Sequence, residues 1–329
     1  MDVGRIVNAV SLACRAPSVH NSQPWRWVIN DGSGEITVHL FSDRRRAVPA
    51  TDPSGRQAIL SCGVALDHFR VAMAAARWRA RITRFPDPRA PDHLATVEFD
   101  RLDDTTAVHR RRADAILRRR TDRLPLDCPA YWQAFEPVLH STVNQDREDP
   151  VTLDVLSDDQ RPQLVQASRL AADLRREDES YQAELQWWTS PFALAQGVPP
   201  AALASDTERI RVDVGRDFPV RGHQDRRAEM TEDRSKILVL STPADTRDDV
   251  LRCGEVLSTV LLECTMAGMA TCPLTHLIET DESRGIVRRL IGEPQAEPQV
   301  LVRVGITPPF DNPSAPSPRR PIDDVLELR

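Results

Sequence analysis

Arginine recurs in this chain at spacings that suit an anion. In Arg119-Arg120-Thr121-Asp122-Arg123, guanidinium groups flank a hydroxyl, and each can donate forked, charge-assisted hydrogen bonds to oxygen. Further on, Pro318-Arg319-Arg320-Pro321 holds two more, and the flanking prolines limit the freedom these lose on clamping a phosphate. A third segment runs from Arg15 through Pro17, Ser18, His20, Asn21 and Gln23 to Trp25. It reads as a turn whose amides and side chains face outward to bond a ligand. Each segment has a plain alternative: a solvated basic face, an exposed basic tail, a structural turn. His20 reads as a solvated turn residue, and Trp187-Trp188 as core.

These groups need a scaffold, and 329 residues can bury a sizeable core. No apolar run approaches the roughly eighteen residues of a spanning helix, and no charged-then-apolar leader is visible. No membrane association and a cytoplasmic location are therefore expected. Six cysteines, Cys14, Cys62, Cys128, Cys253, Cys264 and Cys272, lack the paired spacing of zinc or redox motifs. They read as buried small apolar residues, with no metal site. The net charge of −6 comes from 43 basic and 49 acidic residues spread along the chain, which argues against nucleic acid as partner. The 26 prolines gather between 191 and 219 and between 308 and 321, marking irregular segments.

The elements that would position the arginines occur in two similar sets. Residues 36 to 78 read as a strand (Ile36, Val38, Leu40), a loop with Thr51-Asp52, and a long helix bearing Cys62-Gly63 and Leu66. Residues 237 to 269 repeat the order: Ile237 to Leu240, Thr246-Arg247, then Cys253-Gly254 and Leu257 at matching spacing. Each copy leads to a late strand, Thr96 to Phe99 or Val300 to Val304. A break falls near 100 to 110, dividing the chain into halves 1–105 and 106–329. The second half opens with a helix through Ala113, Ile116 and Leu117. Helices follow near 130 to 141, 160 to 176 and 178 to 188, with a strand at Val151 to Leu156. This mixture predicts a layered α/β or α+β domain. Residues 189 to 233 break the pattern with an irregular, proline- and charge-rich insertion, as lids and binding loops do.

The three segments together resemble the nitroreductase superfamily. Ala16 to Trp25 resembles its flavin-binding turn, with Pro-Ser, Asn and Gln-Pro-Trp. Arg119, Thr121 and Arg123 are similar to its opening Arg-x-Ser-x-Arg/Lys motif, and Arg319-Arg320-Pro321 to its closing basic motif. Because the two sets lie in different halves, the pattern resembles the Acg-type fused proteins of actinobacteria. The resemblance implies an α+β fold of two fused halves forming an intramolecular pseudo-dimer with a lid-like insertion. It implies one FMN per chain at their interface, held by Pro17, Ser18, Asn21, Arg119, Thr121, Arg123, Arg319 and Arg320. Pro273 and Thr275 match the superfamily's loop near the flavin ring, although its usual Glu-Gly pair is absent. The mirror-related site lacks both motifs. With the cofactor carrying the electrons, no nucleophile is required. The implied activity is NAD(P)H-dependent reduction of a small nitro or quinone acceptor; the alternative is FMN sequestration under a closed lid without turnover. A monomer is expected, since each half completes the other's interface.

Overall fold

The computed structural model describes residues 2–329 apart from 33, 145–149, 191–195, 220, 221, 223, 294, 310 and 312–314. The first half runs α1 (Val3–Ala13), β1 (Trp25–Asn30), β2 (Thr37–Ser42), α2 (Arg56–Ala75), β3 (Trp78–Arg84) and β4 (His93–Arg101). There follow α3 (Ala107–Arg118), α4 (Trp132–Val143), β5 (Thr152–Leu156), α5 (Arg161–Arg175), α6 (Glu179–Trp188) and α7 (Asp206–Arg211). The chain closes with β6 (Lys236–Thr242), α8 (Arg247–Met266), β7 (Ala270–Leu274), α9 (Asp281–Arg288), β8 (Glu297–Gly305) and β9 (Leu326–Leu328). The class is α+β, as expected.

The repeat is explicit in the sheets. One has the order β3-β4-β2-β1-β9 and the other β7-β8-β6-β5, so without β9 the two are the same. Every pairing within the shared part is antiparallel. Both sheets also shift register at matching places, between Leu40 and Phe41 and between Leu240 and Ser241.

The halves meet where α2 crosses α8, and the shared Cys-Gly pair explains the contact. A Cβ on Gly63 would lie 2.1 Å from the Leu251 carbonyl oxygen, and one on Gly254 would lie 2.2 Å from that of Leu60. Only glycine lets the two backbones come this close. Helix α8 starts at a capping box, Thr246 with Asp249, and carries Asp248 and Asp249 where the helix dipole favours negative charge. Helix α2 starts at left-handed Gly55. It is long and apolar enough in composition to cross a membrane, yet most of it is buried inside the protein. One hydrophobic cluster runs from Ile6 and Leu40 through Leu66 and Leu257 to Val304, joining both halves.

One sequence expectation needs correcting, and one element went unread. Cys128 is exposed, lying in the connection ahead of α4, while the other five cysteines are buried free thiols. The described residues of the proline-rich stretch from 308 to 321 are irregular, as expected, and beyond it β9 pairs in parallel with β1 of the first half. Three residues flanked by irregular backbone carry no periodic signal, so this crossing was not legible.

Candidate functional site

Five arginines converge between the halves. Arg15 follows α1, Arg119, Arg120 and Arg123 follow α3, and Arg319 precedes β9. Among the described residues none of them makes an ion pair with an acidic side chain. Arg119 is only 5% exposed, and its Nε and Nη1 find no hydrogen-bond acceptor. Burial, then Arg120, Arg15 and Arg123, push its pKa down to about 9. Arg319 is pushed down to about 9 as well, by burial and then by Arg119 and Arg15. It spends its donors on backbone carbonyls, of Cys14 at 2.8 Å, Arg15 at 3.0 Å and Ala16 at 3.1 Å. Unpaired buried charge is costly, and an anion in this cradle would offset that cost.

The cradle surrounds a small space of about 40 Å³ that shares Pro17, Ser18, Thr121 and Arg123 with a cavity of about 490 Å³. The larger volume falls within the range of roughly 300–1,000 Å³ typical of cofactor sites. Leu60, Val64, Leu257 and Val300 give it apolar walls, and Pro273 and Thr275 line it too. Nine of the ten residues singled out in the sequence therefore border the two connected spaces. The tenth, Arg320, points elsewhere: it donates to the carbonyls of Gln23 and Asp324 and lies 3.6 Å from Asp43.

The turn at 17 to 23 differs from its sequence reading. His20, Asn21 and Gln23 all take left-handed backbone angles, which non-glycine residues seldom adopt. Its polar groups face protein more than solvent. Asn21 Nδ2 donates to the carbonyls of Gly197 at 2.9 Å and Pro318 at 3.1 Å, and Ser18 Oγ accepts from Gln23 N. The turn thus ties the insertion and the C-terminal segment to the cradle. His20 is buried, not solvated; its Nε2 lies 3.0 Å from Thr51 Oγ1 and its ring meets Phe218 edge-on. Trp188 is buried beneath Arg46, whereas Trp187 is exposed.

Residues 191–195, 220, 221 and 223 of the insertion lie outside the described residues. The rest forms one wall of the cavity, with Val212, Arg216 and Phe218 among its lining. Buried charges hold that wall. Arg227 reaches Asp122 and Asp311 at 2.6 Å each, and Asp233 takes Arg161 at 2.7 Å and Arg303. Arg216, Glu279, Gln57 and Tyr181 form another such cluster, which sequence reasoning missed because its members come from four separate segments.

His20, His68 and His276 are each pushed down to about 3, chiefly by burial. They stay neutral in the fold while an unfolded histidine titrates near 6.5, so their contribution is complete above about pH 6.5 and is lost as pH falls toward 3. Each can cost about 1.4 kcal/mol per pH unit within that window. Urea unfolding should accordingly show falling stability from about pH 6.5 down to pH 4, with a shallower slope in His68→Gln; a flat profile would contradict neutral burial.

No family model matches the chain. A Mycobacterium tuberculosis protein of undescribed function is 66% identical over 98% of this chain and 92% of its own length. The candidate NAD(P)H nitroreductase acg of the same organism is 54% identical over 98% of this chain and 96% of its own. Among solved structures, a nitroreductase candidate from Anabaena variabilis aligns with TM-score 0.48 and 9% identity, covering 92% of this chain and 73% of its own. An FMN-bound nitroreductase from Desulfitobacterium hafniense gives 0.41 and 13%, covering 65% and 95% respectively. By its full-length identity to acg and the arginine cradle between fused halves, this chain belongs to the Acg-type group of the nitroreductase superfamily.

Proposed function

We propose that the chain is an FMN-dependent oxidoreductase holding one FMN, its phosphate in the cradle of Arg15, Arg119 and Arg319 and its ring in the adjoining cavity. The observation that carries this reading is Arg119, a buried cation with two unpartnered nitrogens beside a cofactor-sized space. A phosphate dianion supplies the missing acceptors. Bound FMN would take up electrons from NAD(P)H and deliver them to a small nitro or quinone acceptor. The chain's own part is to bind and to shield: arginines fix the phosphate, Ser18 and Thr121 line the passage, and the apolar walls exclude water.

The pseudo-symmetry supports one site per chain. Counting from the paired glycines, Thr275 and Val64 of the cavity are matched by Arg84 and Glu255. Those two form a bidentate ion pair at 2.7 and 2.9 Å, so the corresponding positions satisfy each other and offer a cofactor no free group. Since the contact between α2 and α8 stands in for a dimer interface, the same reading makes the chain a monomer.

A second reading, FMN held under a cover without turnover, is favoured by the ion pairs that staple the insertion over the cavity. The visible spectrum of protein purified without added cofactor, with acid release of the chromophore, tests both. About one FMN per chain is expected. Fast NAD(P)H oxidation with a quinone acceptor then supports the oxidoreductase, and bound flavin that resists reduction supports sequestration. A colourless protein that ignores added FMN overturns both.

A further inference from the structure

The insertion contributes a charge to the cavity as well as a wall. Arg216 lines the cavity, and its side chain is only 9% exposed. It donates to Glu279 (Nη1 to Oε2 at 3.0 Å, Nη2 to Oε1), to the Tyr181 hydroxyl, and to Thr275 Oγ1 at 3.2 Å. Glu279 is buried in turn and accepts from Gln57 Nε2 at 2.8 Å. Burial opposes the charge on Glu279, but Arg216 outweighs it and holds the carboxyl down at about 2. Both members are therefore ionised and nearly sealed from water, where a charge acts at longer range than on a surface. Pinning a loop does not require Arg216 to reach the cavity wall beside Thr275.

We propose that Glu279, by neutralising Arg216 at the cavity wall, keeps the reduction potential of the flavin below the value that Arg216 alone would give it. This rests on the FMN reading above. Reduction adds two electrons and one proton to the oxidised ring, which leaves it with one more negative charge. A nearby cation favours that product and a nearby anion disfavours it. In the wild-type chain the two nearly cancel, so each variant exposes one sign. Glu279→Gln leaves Arg216, which cannot shed its proton, without a counter-charge, and the potential should rise. Arg216→Gln leaves a buried carboxyl that either stays ionised and lowers the potential or takes up a proton and leaves it little changed.

The test is a dithionite titration of the FMN-loaded protein against a reference dye. Glu279→Gln should hold reduced FMN about tenfold more tightly relative to oxidised FMN than the wild type does, a rise of about 30 mV for a two-electron couple. Arg216→Gln should not rise. Tyr181→Phe, which loses a contact of the same cluster but no charge, should match the wild type. If the pair only staples the insertion, Glu279→Gln and Arg216→Gln shift together or not at all while FMN stays bound, and the proposal is overturned. Should Arg216→Gln fail to retain FMN, Glu279→Gln alone decides, a rise supporting the proposal and any other result overturning it. Wild-type protein that binds no FMN would instead sink the cofactor reading, and this one with it.

Discussion

Arg119→Ala is expected to weaken FMN binding by about 1.5–3 kcal/mol, the worth of a charged hydrogen bond, or roughly tenfold to 150-fold in Kd. The empty protein should unfold at the same or a higher temperature. Without an anion, Arg119 is a buried charge with two bare nitrogens among other arginines, and truncation removes that penalty along with the phosphate contact. Arg319→Ala should cost similar affinity but also destabilise the empty protein, because its guanidinium ties down the carbonyls of Cys14, Arg15 and Ala16. Flavin-fluorescence titration and thermal unfolding of both variants separate the two effects. Unchanged flavin content in both would refute the cradle; a parallel loss of affinity and stability in Arg119→Ala would make that residue structural.

The other large effect is expected at the helix crossing. Gly63→Ala and Gly254→Ala each place a methyl group against a backbone carbonyl, at 2.1 and 2.2 Å. Side chains can turn aside, but the backbone of a 20-residue helix cannot. Each substitution should therefore cost about 3 kcal/mol or more, at the upper end of overpacking penalties. FMN should be lost in parallel, since the site draws on both halves. Gly32→Ala, with nothing within 4 Å of the added carbon, provides a near-neutral control in urea unfolding.

What could be read from the sequence was whatever leaves a local trace. The duplication showed because both copies must keep glycine at the crossing, and a neighbouring Cys and a following Leu keep the same spacing. Arg119 and Arg319 showed because motifs concentrate them. Helices α4, α5 and α6 showed through their apolar period. Arg216, Glu279 and Gln57 left no trace, because they become neighbours only in the fold. Arg15 stood inside a quoted segment, but nothing local reveals that it joins the arginines after α3. His20 was misread because turns are usually wet, whereas this one is roofed by Phe218 from the insertion. Arg320 was taken with its neighbour, and backbone direction sends the two side chains to opposite partners.

The hydrogen bond from Arg319 to the Arg15 carbonyl joins residues 304 positions apart. The contact has a very high sequence separation, so its loop-closure entropy must be met before the contact rewards it. Docking of β9 beside β1 brings Arg319 to that position. An anion that spans Arg15 and Arg319 would bridge this long loop, so its binding should make β9 harder to detach from β1.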